Sequence, residues 1–305
     1  MYYNRNLIGA DKSAVTPKDA SGIFDLRSQE KHQRNQDWPG SVAPYLTYTI
    51  NYSGTPFEVR QIGTRSISIN WGDGSSELSN AESVTHTYSS NGIYEIKIDT
   101  HGTNTYYRPN FLSTSSDSRN QLIKMKIGRY LRGNLDSCFR SCENLEEIIA
   151  PYYSFSSVTT FRRTFRDLHS LKVFPFIETR GIGNFENFCW GQNQLTTFPK
   201  LDFRAATKFN SAWRNCQSLA HFPPNMFDIT SGHGGADSFD GAWNNCALTA
   251  QSIENILTSL DTNGSTNVNL GITGGTNAGA STWSTAATTA YNNLITKGWN
   301  ISRNS

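Results

Sequence analysis

Asp73, followed by Ser75 and Ser76 in Trp71-Gly-Asp-Gly-Ser-Ser, and the pair Cys138-x-x-x-Cys142 are the first residues whose types and spacing suggest chemistry. The aspartate and its serines could hold calcium. Ca²⁺ takes about six to eight oxygen ligands, and this short turn does not supply that many. Asp73 is therefore expected to accept hydrogen bonds from the backbone of its own turn. The two cysteines could form half of a zinc site, but Cys142 shares a column of an internal repeat with Cys216 and Cys246, and thiols stacked along a repeat behave as small hydrophobes. Glu146 and Glu147 are adjacent and point apart, a poor arrangement for glycoside hydrolysis. Histidines at 32, 86, 101, 169, 221 and 233 are scattered and build no His-Asp-Ser or Cys-His arrangement. The glycine-rich stretch Ser231–Asp237 reads as a surface loop. No catalytic residue, metal or cofactor is expected, and a non-enzymatic protein is the favoured reading.

The elements that must position these residues fall into four segments. Residues 1–40 carry a mixed-charge stretch in which Asp25 to Gln36 is expected to form a short helix ending before Pro39, with Phe24, Leu26 and Trp38 as apolar anchors. Two readings stand for this segment: it docks onto another protein, or it is a flexible leader that ends on the next domain. Residues 41–120 alternate apolar and polar residues in short runs punctuated by Gly, Asn, Asp and Ser, which predicts an antiparallel β-sandwich.

Residues 121–260 carry a longer period. Leu135, Phe161, Phe185, Phe209 and Phe239 are separated by steps of 26, 24, 24 and 30 residues, and Leu145, Leu171, Leu195, Leu219 and Leu248 by 26, 24, 24 and 29. Fixed apolar columns at this period predict a leucine-rich-repeat solenoid, in which each turn buries its apolar face on its neighbours. Each copy is expected to supply a short strand near Leu-x-x-Phe-Pro and a turn or short helix around Phe-x-x-x-Phe/Trp. Residues 261–305 read as the cap, with a helix from Ser284 to Thr296 closed by Lys297-Gly298 and a last strand at Trp299 to Ile301. The fold class expected is thus mainly β with short helices.

Composition narrows the partners. Aromatics make up 12% and charged residues only 17% of the chain, which argues for order rather than disorder. A formal net charge of +2 and the lack of a long basic run predict no nucleic-acid surface. No apolar stretch is long enough for a membrane span, and the N-terminal residues lack an export signal. The five cysteines are odd in number and are expected to be reduced, buried thiols.

Trp71-Gly72-Asp73-Gly74, then His86-x-Tyr88, then Gly92-x-Tyr94-x-Ile96-x-Ile98 resembles the PKD-type immunoglobulin-like domain. That resemblance implies a β-sandwich with Trp71, Tyr88 and Tyr94 in its core and carries almost no functional content. The copies resemble BspA-like leucine-rich repeats, with Phe209 to Pro223 the closest match and the terminal Lys297 to Ile301 similar to the ends of such arrays. Residues 20–39 resemble a short N-terminal segment of tailed-phage structural proteins. Together these resemblances imply a phage virion protein, assembled in the host cytoplasm and exposed after lysis. A tail fibre or baseplate-associated adhesin for host-surface attachment is favoured. Decoration of the phage head is the alternative, and a bacterial surface adhesin or a cryptic glycan-active enzyme stands behind it. The implied partners are other virion proteins through the N-terminal segment and a host-surface glycan or protein, with a homo-oligomer or a symmetric assembly as the frame. Tyr152, Tyr153 and Trp190 could stack on sugar rings, although packing of the copies is the favoured role for them.

Overall fold

The computed structural model describes residues 44–100, 107–129, 131–230 and 235–305. The anchors Phe24, Leu26 and Trp38, together with His32, His101 and His233, lie outside the described residues. The protein is mainly β with a few short helices.

Strand β1 (Leu46–Tyr52) owes its place to an alternation in which Leu46, Tyr48, Ile50 and Tyr52 are all buried. It pairs antiparallel with β6 (Gly92–Thr100) on one side and with β7 (Leu122–Ile127) on the other. Beyond β6 lie β3 (Ile67–Asn70) and then β4 (Ser76–Ser79), while β9 (Glu147–Ile149) runs parallel to β7 at the opposite edge, and β8 (Arg132–Asn134) pairs instead with Ser157–Thr160. A separate two-stranded ladder joins β2 (Phe57–Arg60) to β5 (Ser83–His86), and Phe57 and Val59 bring it into the same core. Because β7 and β9 belong to the sheet built on β1, the seam placed at residue 120 falls inside continuous structure. Tyr45–Ser305 forms one compact unit.

The copies differ from expectation in where their backbone pairs. In each Phe-x-x-x-Phe/Trp stretch, alternate N–H groups donate forward to the next copy. Arg163, Phe165 and Asp167 donate to Glu186 O, Phe188 O and Trp190 O at 2.9, 3.1 and 2.7 Å, and Asn187, Cys189 and Gly191 to Asn210 O, Ala212 O and Arg214 O at 3.0, 2.7 and 2.9 Å. Ser211, Trp213 and Asn215 repeat the pattern at 2.8, 2.9 and 2.8 Å. These segments are turns rather than helices. The strand expected near Leu-x-x-Phe-Pro is reduced to β9 in the first copy and an isolated bridge, Thr197 with His221, further on. The physical reason is Pro175, Pro199 and Pro223, which have no N–H to give to a ladder.

Forward donation requires an unusual backbone. Two residues four positions apart in each copy are left-handed: Ser137 and Ser141, Arg163 and Asp167, Asn187 and Gly191, Ser211 and Asn215, Gly241 and Asn245, with φ between 52° and 78°. Side chains there cost about 1–2 kcal/mol per residue, which favours Gly and short polar residues. Arg163 is the exception, and its guanidinium is held by Asp136 at 3.0 and 3.2 Å.

Inside, rings stack copy on copy. Phe185 to Phe209 and Phe209 to Phe239 lie 5.5 and 4.9 Å apart and nearly parallel, as do Trp213 and Trp243 at 4.9 Å. A side-chain donor from each following copy also reaches the carbonyl at one repeated position. Gln192 Nε2 donates to Phe165 O, Cys216 Sγ to Cys189 O and Cys246 Sγ to Trp213 O, each at 3.0 Å. Asn277 Nδ2 extends the series by donating to Trp243 O at 2.9 Å. Trp243 N and Asn245 N meanwhile donate to Gly271 O and Thr273 O. The register therefore continues past residue 260 into the segment expected to be only a cap.

Two larger helices flank this end. Helix α1 (Ser116–Gln121) is short, whereas α2 (Ala250–Asn263) starts at Thr249, whose side chain accepts from Ser252 N, and stops at left-handed Gly264. The sequence reading missed α2. Helix α3 (Thr285–Thr296) is capped by Ser284 and followed by left-handed Gly298, close to the expected span. The last strand lies at Asn300–Arg303 rather than Trp299 to Ile301 and runs parallel to Asn269–Ile272.

Candidate functional site

The Trp-Gly-Asp-Gly turn connects β3 to β4. Gly72 sits at φ 83°, and a Cβ there would lie 2.5 Å from Glu95 O on β6, so the sheet accepts only glycine. Asp73 Oδ1 accepts from Ser75 N at 2.9 Å and from Ser75 Oγ at 2.6 Å, while Asp73 Oδ2 lies 2.7 Å from His86 Nε2. Those contacts, the Ser75 hydroxyl foremost, hold the Asp73 carboxyl at about 2. The His86 ring stacks on buried Trp71 at 4.7 Å, and Trp71 Nε1 donates to Glu77. Tyr88 donates to Trp71 O at 2.8 Å and stacks on half-buried Tyr94 at 3.8 Å, whose hydroxyl donates to Ser90 O. Gly74, at φ 94°, closes the turn, and Gly92 opens β6.

Serine, histidine and aspartate thus meet, a juxtaposition that the scattered histidines did not suggest. Their order defeats nucleophilic catalysis, because Ser75 and His86 both bind the carboxylate, whereas an activated serine must donate to the imidazole. The cluster ties β3, β4 and β5 together.

All ten column residues, Leu135, Leu145, Phe161, Leu171, Phe185, Leu195, Phe209, Leu219, Phe239 and Leu248, are buried. The five cysteines are free and buried, and loss of solvent pushes every thiol up, Cys138 and Cys216 to about 12. Among the described residues no group of three or more His, Cys, Asp or Glu could hold a metal ion. Glu147 pairs with Lys124 at 2.7 Å, while Glu146 lines a separate polar cleft with Asp117, so the two glutamates serve different surroundings.

Of the three aromatics singled out for stacking, Trp190 lies under the guanidinium of Arg166, 4.2 Å from its ring centre, with Arg214 at 5.1 Å. Arg166 and Arg214 occupy the equivalent position in the copies before and after. Tyr153 packs edge-on against Tyr152 at 5.3 Å.

Tyr152 instead opens onto a groove of about 510 Å³ that also takes in Phe176, Lys200, Asp202, Arg204 and Ile229. Phe176 is 60% exposed and lies 5.2 Å from the Tyr152 ring at 25°; Ile229 is 63% exposed. Buried Leu201 and Met226 line the groove between them. Asp202 is paired with Arg204 at 2.9 Å and with Arg180 at 3.5 Å. Partial burial would raise its carboxyl, but the hydrogen bonds from Arg204 outweigh it and hold the group ionised, below the usual range. Asp228 accepts from Ser259 Oγ at 2.5 Å. Among the described residues Lys200 has no ion-pair partner.

Phe176 and Lys200 occupy one repeated position. Each follows a buried Phe and a proline, Phe174-Pro175-Phe176 and Phe198-Pro199-Lys200. The residue after each Phe-Pro is turned outward, and this was the signal available in the sequence and not used.

Compared with protein-family models, with curated proteins and with solved structures, the chain matches none.

Proposed function

We propose that the protein is a non-enzymatic phage virion component, a tail fibre or baseplate-associated adhesin that attaches to the host surface. In this reading the sheet around β1, β3 and β6 is a PKD-type module that shares β7 and β9 with the copies, the copies form a BspA-like leucine-rich-repeat solenoid that continues past residue 260, and the C-terminal helix and strand cap it. Residues 1–40 dock to other virion proteins. The observation that carries the reading is the open aromatic groove beside a stack of copies held in register by forward-donated backbone hydrogen bonds. A rigid frame spends no ordering entropy on presenting those side chains when a partner binds. The Ser75–Asp73–His86 cluster supports a structural role for the sheet, since its polar groups are engaged with one another.

The test mixes the purified full-length protein, and a version lacking residues 1–40, with virions stripped of it and with host cells. Attachment predicts that both versions bind cells and only the full-length chain rejoins the particle. Binding to particles alone favours decoration of the head. Binding of neither version to particles, with both still on cells, moves a bacterial adhesin ahead.

A further inference from the structure

We propose that the groove at Tyr152 and Phe176 binds an uncharged saccharide chain; this inference rests on the attachment reading and names its ligand. Three observations lead there. The first is the ring pair: Phe176 presents most of its ring to solvent while its half-buried neighbour Tyr152 holds it in place at 5.2 Å. A pyranose has one face of aliphatic C–H groups that lies flat on such a ring, and burying both faces removes apolar surface from water.

The second is charge balance. The lining carries two cations, Lys200 and Arg204, and two carboxylates, Asp202 and Asp228. Both carboxylates already accept hydrogen bonds within the protein, and Arg204 is tied to Asp202. The two cations and two carboxylates balance, so the lining offers an ionic ligand no net charge to neutralise beside these internal pairs. Hydroxyl groups donate and accept, so a polyol satisfies the remaining lone pairs and the Lys200 ammonium without breaking them.

The third is the direction of the groove. Its lining comes from successive copies, from Tyr152 through Phe176 and Lys200–Arg204 to Ile229, and stacked core rings of successive copies lie 4.9 and 5.5 Å apart. The groove therefore crosses several copies and suits a chain of sugar rings rather than a single one.

The experiment probes the full chain on an array of neutral and acidic bacterial surface polysaccharides and repeats the strongest hit by calorimetry at low and high salt. The expected result is binding to neutral polymers, with affinity changing less than about threefold between the salt conditions, because no net charge is neutralised. Phe176→Ala should lower affinity at least tenfold while leaving the melting temperature unchanged; Lys200→Gln should lower it by a smaller factor. Binding confined to acidic polymers and lost in salt would overturn the inference. So would binding that Phe176→Ala does not change. If no polysaccharide binds but cells do, the saccharide inference fails and the attachment reading stands. If polysaccharides bind through Phe176 but cells and virions do not, the attachment reading fails and the saccharide site stands.

Discussion

The Trp-Gly-Asp-Gly turn and the Tyr152–Phe176 groove are both built from turns with an aromatic pair, yet their chemistry runs in opposite directions. In the first, Asp73 is shared between Ser75 and His86, Trp71 lies buried under the His86 ring, and Tyr88 is tied to Trp71 O. In the second, Phe176 is turned away from the core and Lys200 stands unpaired among the described residues. The Trp-Gly-Asp-Gly motif therefore marks polar groups that are engaged with one another. At the groove the repeated Phe-Pro marks the buried ring, and the residue after it, which varies from copy to copy, faces outward.

Substitutions sharpen this contrast, and the largest effect belongs to the buried stack. Phe209→Ala removes a ring sandwiched between Phe185 and Phe239 and should cost about 3–5 kcal/mol in urea unfolding. Gly72→Ala places a methyl against Glu95 O; a loss of about 2 kcal/mol or more is expected by the same measurement. Asn277→Leu withdraws the donor from Trp243 O and should cost about 1–3 kcal/mol, lowering the unfolding midpoint if the segment after residue 260 continues the stack.

The acid limb tests the closed cluster. Asp73 titrates at about 2 in the folded protein against about 4 in an unfolded chain. Its depressed value contributes stability that is full above pH ~4 and lost as pH falls towards ~2. Asp73→Asn should flatten the stability profile in that window and leave its neutral limb parallel to the parent. At the small end, Phe176→Ala should change stability by less than about 0.5 kcal/mol, since the ring is largely exposed. A large loss there would make the groove part of the core and erase the contrast.

How much of this was legible depended on whether side chains or backbone carried the information. Most strands between Tyr45 and Asp99 announced themselves by alternation, whereas the exposed edge strand Ser76–Ser79 did not, and α3 was marked by Ser284 and Gly298. The Phe and Leu columns showed the repeat because buried rings need neighbours of the same kind. The forward-donating ladder left almost no trace, since Ser137, Arg163, Asn187, Ser211 and Gly241 share a backbone conformation and little else. The continuation at Asn277 was hidden because the Phe columns stop before it. Helix α2 was legible in principle: Thr249 with Ser252, buried Ile253, Ile256, Leu257 and Leu260 at helical spacing, and Gly264 at the end. It lies where the repeat period predicts one more turn of the copies. The groove escaped because its residues come from several copies and meet only when the copies stack.

The measurement that bears most directly on the central claim compares the full-length protein with its Phe176→Ala variant for binding to host cells, at matched folding. The account predicts that the parent binds and that the variant loses at least tenfold in affinity. Equal binding by the two would contradict it and place attachment elsewhere on the molecule.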